Sequence, residues 1–195
     1  MRLRVMRAAR PWRALALAAL LAACSNDVTA PEDITPVTAT LTADAATATA
    51  FVSLGAQPRV VTGTDTTTAA GWDIGLNATN VTLNAAGGVT AYCLCANESA
   101  TDAAVMAMTP DAQLNGFSAI TSTDISVTAA FTADAFTTHK WYRYNLTGND
   151  HQIWPTFNVY LVKRGSSIYK VQLTSYYGAT GTSRQITIRS ALIRS

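Results

Sequence analysis

The feature that most constrains this chain is the alternation of side chains from Phe157 to Tyr177. Phe157, Val159 and Leu161 fall on one side of an extended backbone, and Asn158, Tyr160 and Val162 on the other. Lys163-Arg164-Gly165-Ser166-Ser167 interrupts the pattern, and Ile168 to Tyr177 resumes it. A period of two is the period of a strand. Two such runs on either side of a short, glycine-containing turn predict a β-hairpin. The same signal recurs elsewhere. Val81 and Leu83 alternate with Thr82 and Asn84, and Ala85-Ala86-Gly87-Gly88 turns the chain into a run from Val89 to Cys95. Gln185 to Ile193 follows a turn at Gly178 to Gly181. Residues 99–116, with Met106, Met108 and Pro110, depart from the rule and read as a short helix or loop excursion. The expected fold is all-β: two packed, mainly antiparallel sheets in a sandwich, with one or two short helices and an N-terminal tether.

The tether follows from the first 50 residues. Arg2, Arg4, Arg7, Arg10 and Arg13 precede an uncharged apolar run from Ala14 to Ala23, the pattern of a secretory signal. That run is shorter than the roughly 20 apolar residues a membrane span needs. It ends in Leu21-Ala22-Ala23-Cys24, which resembles the lipobox of bacterial lipoproteins, where the cysteine becomes the lipidated N-terminus. Ser25 follows the cysteine where an aspartate would have resembled an inner-membrane retention signal, so outer-membrane or surface anchoring is expected. Residues 24–50 are rich in Thr, Ala, Pro and Asp and read as a flexible tether, leaving 51–195 as the folded domain. Removing residues 1–23 takes away five of the fourteen basic residues and none of the twelve acidic ones, so a formal charge of +2 becomes about −3. A net-acidic domain lacks the basic footprint of a nucleic-acid binder.

Chemistry-bearing motifs are sparse. Gly-x-Ser-x-Gly, His-Glu-x-x-His and Walker-type loops do not occur, and the chain reads as non-enzymatic. Cys93 and Cys95 lie in a segment destined for a disulfide-permissive compartment. At i, i+2 in a regular strand they point to the same face, and bridging them requires a local backbone distortion. As zinc ligands they lack a second pair.

Three segments together resemble one family. Thr66-Thr67-Thr68-Ala69-Ala70-Gly71-Trp72-Asp73-Ile74-Gly75-Leu76 looks like its opening strand, and Gly87-Gly88-Val89-Thr90-Ala91-Tyr92 like the next. Trp141-Tyr142-Arg143-Tyr144-Asn145, Val159 to Lys163, and Tyr169 to Tyr177 match its C-terminal half. The family is that of HmuY-like haem-binding lipoproteins, and the likeness covers roughly residues 60–193. It implies an all-β domain anchored at the surface, haem as ligand, and a TonB-dependent outer-membrane receptor as the next recipient. Trp72 is expected to be a core aromatic and Asp73 a turn or cap partner rather than haem contacts.

Haem iron is held by His, Met, Cys thiolate or Tyr. The two histidines, His139 and His151, flank the strand-and-turn segment Trp141 to Asn149, and a chain reversal after Gly148-Asn149-Asp150 would bring them together as axial ligands. Met106 and Met108 are the rival pair, sharing a face if their segment is extended. Trp141, Tyr142, Arg143, Tyr144 and Trp154 are candidates to line the pocket, with Arg143 and Lys140 pairing the propionates. The competing expectation is a non-catalytic interaction module that binds a protein or glycan through exposed Tyr142, Tyr144, Tyr176 and Tyr177. Under either reading Cys24→Ala leaves the protein soluble in the periplasm on cell fractionation; retention with the membranes would sink the lipobox reading.

Overall fold

A computed structural model describes residues 35–62, 68, 71–126 and 128–195. The leader, Cys24 and the first part of the tether lie outside the described residues. A five-stranded sheet is ordered β1 (Ala39–Asp44), β11 (Ser183–Arg194), β10 (Ser167–Tyr177), β9 (Val159–Arg164), β6 (Thr90–Cys93). A four-stranded sheet is ordered β3 (Arg59–Val61), β2 (Ala50–Ser53), β4 (Ile74–Asn77), β5 (Asn80–Leu83). A separate two-stranded ribbon pairs β7 (Tyr142–Tyr144) with β8 (Ile153–Pro155). All strand pairs are antiparallel. Three short helices complete the fold: α1 (Asp102–Ala107), α2 (Leu114–Ala119) and α3 (Ala135–Thr138). The all-β expectation holds.

The predicted hairpin is β9–β10. Arg164 pairs with Ser167, so Gly165 and Ser166 alone make the turn, and Gly165 supplies the positive φ of 60° that such a loop favours. The inner faces of the two large sheets form one core. Tyr160, Val162, Val171, Leu173, Ile186 and Ile188 meet Val52, Ile74 and Leu76 from the opposite sheet. The other face of the larger sheet is also covered. Phe117, Ile120, Ile125 and Phe131, from the excursion between β6 and β7, close over Val159, Leu161, Ile168, Ala191 and Ile193. Lys170 lies under this cover, 1% exposed. Its ammonium donates to the carbonyls of Phe117 (2.7 Å), Ser118 (3.1 Å) and Ile120 (2.7 Å) at the end of α2. Burial lowers its pKa, and the nearby Asp124 opposes that shift.

The tether is shorter than the composition predicts. The segment expected to be flexible to residue 50 contains β1, whose Ala39 and Ala43 are buried and whose six residues pair with β11. The partner strand lies at the far end of the chain, so the stabilising contact is invisible to a local reading. Small residues suffice because β1 is an edge strand laid against an already formed sheet.

Asp73 immediately precedes β4 and is fully buried. Its carboxylate accepts from the Leu54 amide at 2.6 Å and from Arg164 Nη1 at 3.0 Å. One side chain thus joins two strands of the smaller sheet to the end of β9 in the larger, and the bond raises the Arg164 pKa. Trp72 packs against Phe51, ring centroids 4.8 Å apart. Trp72 is half-buried rather than a core aromatic, and Asp73 ties strands together where a turn or cap partner was expected. Arg164 is 44% exposed, so loss of Asp73 is felt chiefly at the buried Leu54 amide, and a buried donor left without an acceptor costs about 1–3 kcal/mol. Asp73→Ala is therefore expected to lower stability by about 1–3 kcal/mol in urea unfolding, and a loss below about 1 kcal/mol would contradict this role.

Candidate functional site

The β7–β8 ribbon stands apart from both large sheets and is fastened at three points. Trp141 Nε1 donates to the Thr79 carbonyl in the β4–β5 turn at 2.9 Å. The Ile153 amide donates to the Tyr177 hydroxyl at the end of β10 at 3.1 Å. Arg143 Nη1 donates to Asp102 Oδ1 at 2.7 Å, and its Nη2 to the Glu98 carbonyl at 3.0 Å. The last pair places a cation against the first turn of α1, whose N-cap Thr101 accepts from the Ala104 amide. Opposite residues of an antiparallel pair share a face. Tyr142 with Pro155 and Tyr144 with Ile153 therefore point one way, and Arg143 with Trp154 the other.

Three clefts meet along this ribbon. The first, about 540 Å³, is lined by Thr79, Lys140, Tyr142, Arg143, Tyr144 and Ile153. The second, about 270 Å³, includes Glu98, Thr138 and Thr156. The third, about 600 Å³, runs past Val81, Leu83 and Phe136. Lys140 and Tyr142 line all three. Lys140 is exposed, and among the described residues its ammonium has no hydrogen-bond or ion-pair partner. Arg143, by contrast, is already committed to α1 and to the backbone at Glu98.

The histidines are not brought together. The ribbon ladder extends from Trp141–Thr156 to Asn145–Gln152, with His139 before its first pair and His151 beyond its last. Four ladder steps alone span about 13 Å at 3.3 Å per residue. One iron reaches about 2 Å to an imidazole on each side. The expected reversal does occur, but it sets the two rings at opposite ends of the ribbon. His139 Nδ1 lies 2.9 Å from Glu98 Oε1, and the carboxylate partner makes Nδ1 the protonated nitrogen and leaves Nε2 free. Its carbonyl accepts from the buried Tyr160 hydroxyl, whose pKa burial raises. His151 Nδ1 lies 2.8 Å from the Tyr144 hydroxyl.

The remaining candidates also move. Met106 is inside α1 and Met108 just beyond its end, so the extended segment that would align them is replaced by a helix that turns them apart. Trp141 is 1% exposed and belongs to the core, not to a pocket wall. Trp154 is half-buried and donates from Nε1 to Asp150 Oδ2. Of the four tyrosines expected on an interaction surface, only Tyr144 is exposed; Tyr176 is buried and Tyr177 holds the ribbon. Cys93 and Cys95 form a disulfide with Cα atoms 5.1 Å apart, and Cys95 takes the required distortion as a positive φ of 53°. The two sulfurs and an imidazole nitrogen of His139 lie within 4.8 Å of one another. Glu98, Asp102 and Thr79 have no signal in the sequence that links them to this ribbon, because each reaches it across at least 41 residues.

In comparison with known families, the chain matches the HmuY protein over residues 45–189. The chain belongs to the HmuY family. The likeness read from the segments around Trp72, Val89, Trp141 and Tyr169 is borne out, and the HmuY match contains the whole β7–β8 ribbon and its three attachments. Two solved structures are similar to this HmuY-family chain. One, of a proposed lipoprotein from Bacteroides fragilis NCTC 9343, has 17% identity over 77% of this chain and 86% of the other, with a TM-score of 0.44. The second, of a proposed HmuY-like haem-binding protein from Bacteroides vulgatus ATCC 8482, has 18% identity over 78% and 90%, with a TM-score of 0.45. Among curated proteins there is no significant match.

The Arg143 contacts predict a local effect. Arg143→Ala should destabilise the protein by about 1 kcal/mol and increase amide exchange in α1 more than in β10. Unchanged exchange in α1 would show that the helix does not depend on this arginine.

Proposed function

We propose that this protein is an exported, lipid-anchored carrier that takes up haem beside the β7–β8 ribbon and passes it to a TonB-dependent outer-membrane receptor. Membership of the HmuY family supports the ligand class. The observation that carries the reading is the meeting of three clefts at Lys140 and Tyr142. The first and third, about 540 and 600 Å³, fall in the range of small-molecule sites, about 300–1,000 Å³, and both set apolar side chains beside polar ones. Tyr142, Ile153, Val81 and Phe136 offer apolar surface to a flat macrocycle. Lys140 offers an uncommitted cation to a propionate. Arg143 contributes by holding the ribbon against α1. Cys24 carries the lipid, and the residues before β1 form the tether. The bound group is carried without chemical change.

The test is a titration of the purified protein with ferric haem, read by absorbance. One-to-one saturation with a displaced Soret band supports capture, and no saturable shift at micromolar protein sinks it. Lys140→Glu is expected to weaken affinity by about fivefold, the scale of one exposed ion pair, with the difference shrinking at high salt. Equal affinity in both proteins would remove Lys140 from the site.

A further inference from the structure

We propose that Tyr144 is the axial ligand for ferric haem in the ribbon cleft, binding as a phenolate, with His151 accepting its proton. This rests on the capture reading above and specifies its ligand. Among the six residues lining the 540 Å³ cleft, only Tyr142 and Tyr144 are of a type that ligates haem iron. Tyr142 is half-buried with its ring edge-on to Trp141 at 5.3 Å. Tyr144 is 53% exposed, and its hydroxyl lies 2.8 Å from His151 Nδ1. His139 lines a different cleft, with Cys93, Thr132 and Ala135.

The hydrogen bond sets the division of labour. The phenol oxygen can donate or accept; in the tautomer that carries this proposal the hydroxyl donates, so His151 Nδ1 accepts from Tyr144 and the imidazole proton is on Nε2. In this arrangement the imidazole offers iron no lone pair, but it is placed to receive a proton. The ribbon end is shaped to hold it there. Asn145 and His151 lie diagonally across the ribbon's turn with φ of 57° and 50°, both left-handed. The His151 amide donates to Asn145 Oδ1 at 3.1 Å, and the Asn145 amide to the Gln152 carbonyl at 2.9 Å. Asn and His are among the residues that most readily adopt that region, so the turn closes here without a glycine at either position. Neighbouring Asp150 accepts from the Gln152 amide and Trp154, which fixes the remainder of the turn.

On binding, the Tyr144 O–H bond breaks, the proton passes to His151 Nδ1, and the phenolate oxygen forms a bond to Fe³⁺. No electron is transferred. The resulting imidazolium N–H then donates to the bound oxygen, so the original hydrogen bond persists with its direction reversed. A hard anionic oxygen favours the ferric over the ferrous ion.

The experiment is ferric-haem titration with absorbance and resonance Raman on wild type, Tyr144→Phe, His151→Ala and His139→Ala. Wild type should show phenolate vibrations and a phenolate-to-iron charge-transfer band, both lost on dithionite reduction. Tyr144→Phe should lose these signals and at least tenfold in affinity. His151→Ala should retain the phenolate signals with a shifted iron–oxygen frequency, a readout that a purely structural role would leave unmoved. His139→Ala should match wild type. Saturable wild-type binding without phenolate modes, or a Tyr144→Phe protein that binds as wild type does, overturns the ligand assignment and leaves capture standing. Absence of saturable binding by wild type overturns both.

Discussion

Strand β10 is buried on both faces, and much of the architecture follows from that requirement. Its Val171 and Leu173 need an apolar partner on one side, which the four-stranded sheet supplies. Its Lys170, Gln172 and Thr174 lie on the other side and need hydrogen bonds, because a buried amine or amide without a partner costs several kcal/mol. The cover over Lys170 is not a sheet, whose carbonyls are largely paired already. It is instead the irregular segment with α1 and α2, whose free C-terminal carbonyls converge on the Lys170 ammonium. Gln172 donates instead to the Phe157 carbonyl just before β9, and Thr174 to the Thr187 carbonyl of β11. The segment that departs from β periodicity is thus the one that makes the long strand possible.

That layer in turn helps to hold the β7–β8 ribbon. Arg143 ties the ribbon to Asp102 and Glu98, both carried by the cover, while Trp141 and Tyr177 tie it to the two sheets. The ribbon has too few strands to be stable alone. Its position is therefore dictated by side chains from three separate parts of the molecule, and the clefts are the spaces these attachments leave open.

The pattern of what the sequence discloses has a physical cause. The β9–β10 hairpin was legible because its alternation and its turn are local. Gly165-Ser166 sits between the two runs, and the register follows from the turn length. Strand β1 was not legible, because Ala39-Thr40-Leu41-Thr42-Ala43 is unremarkable until β11 lies beside it. The distortion at Cys95 could be derived from spacing alone. The histidine pair failed for the opposite reason: a turn was correctly expected between them, but sequence does not reveal how many ladder rungs precede it. Tyr144 and His151 come within hydrogen-bond reach diagonally across the ribbon because Asn145 pairs with Gln152, one rung beyond the assigned strands. That rung was readable in principle from the Asn-rich turn at residues 145–150, but only once the register was known.

The edge position of β1 has a mechanical consequence. Its first residue pairs with Ser190 and its last with Gln185, so its hydrogen bonds run across to β11, perpendicular to the chain direction. A pull along the strand from its N-terminal side loads the six rungs in shear and at the same time, whereas a sideways pull would open them singly. The seam between the first and last strands is thus the domain's resistance to being drawn apart by whatever holds its N-terminal side. Shear across several parallel bonds is the strong direction for such a seam.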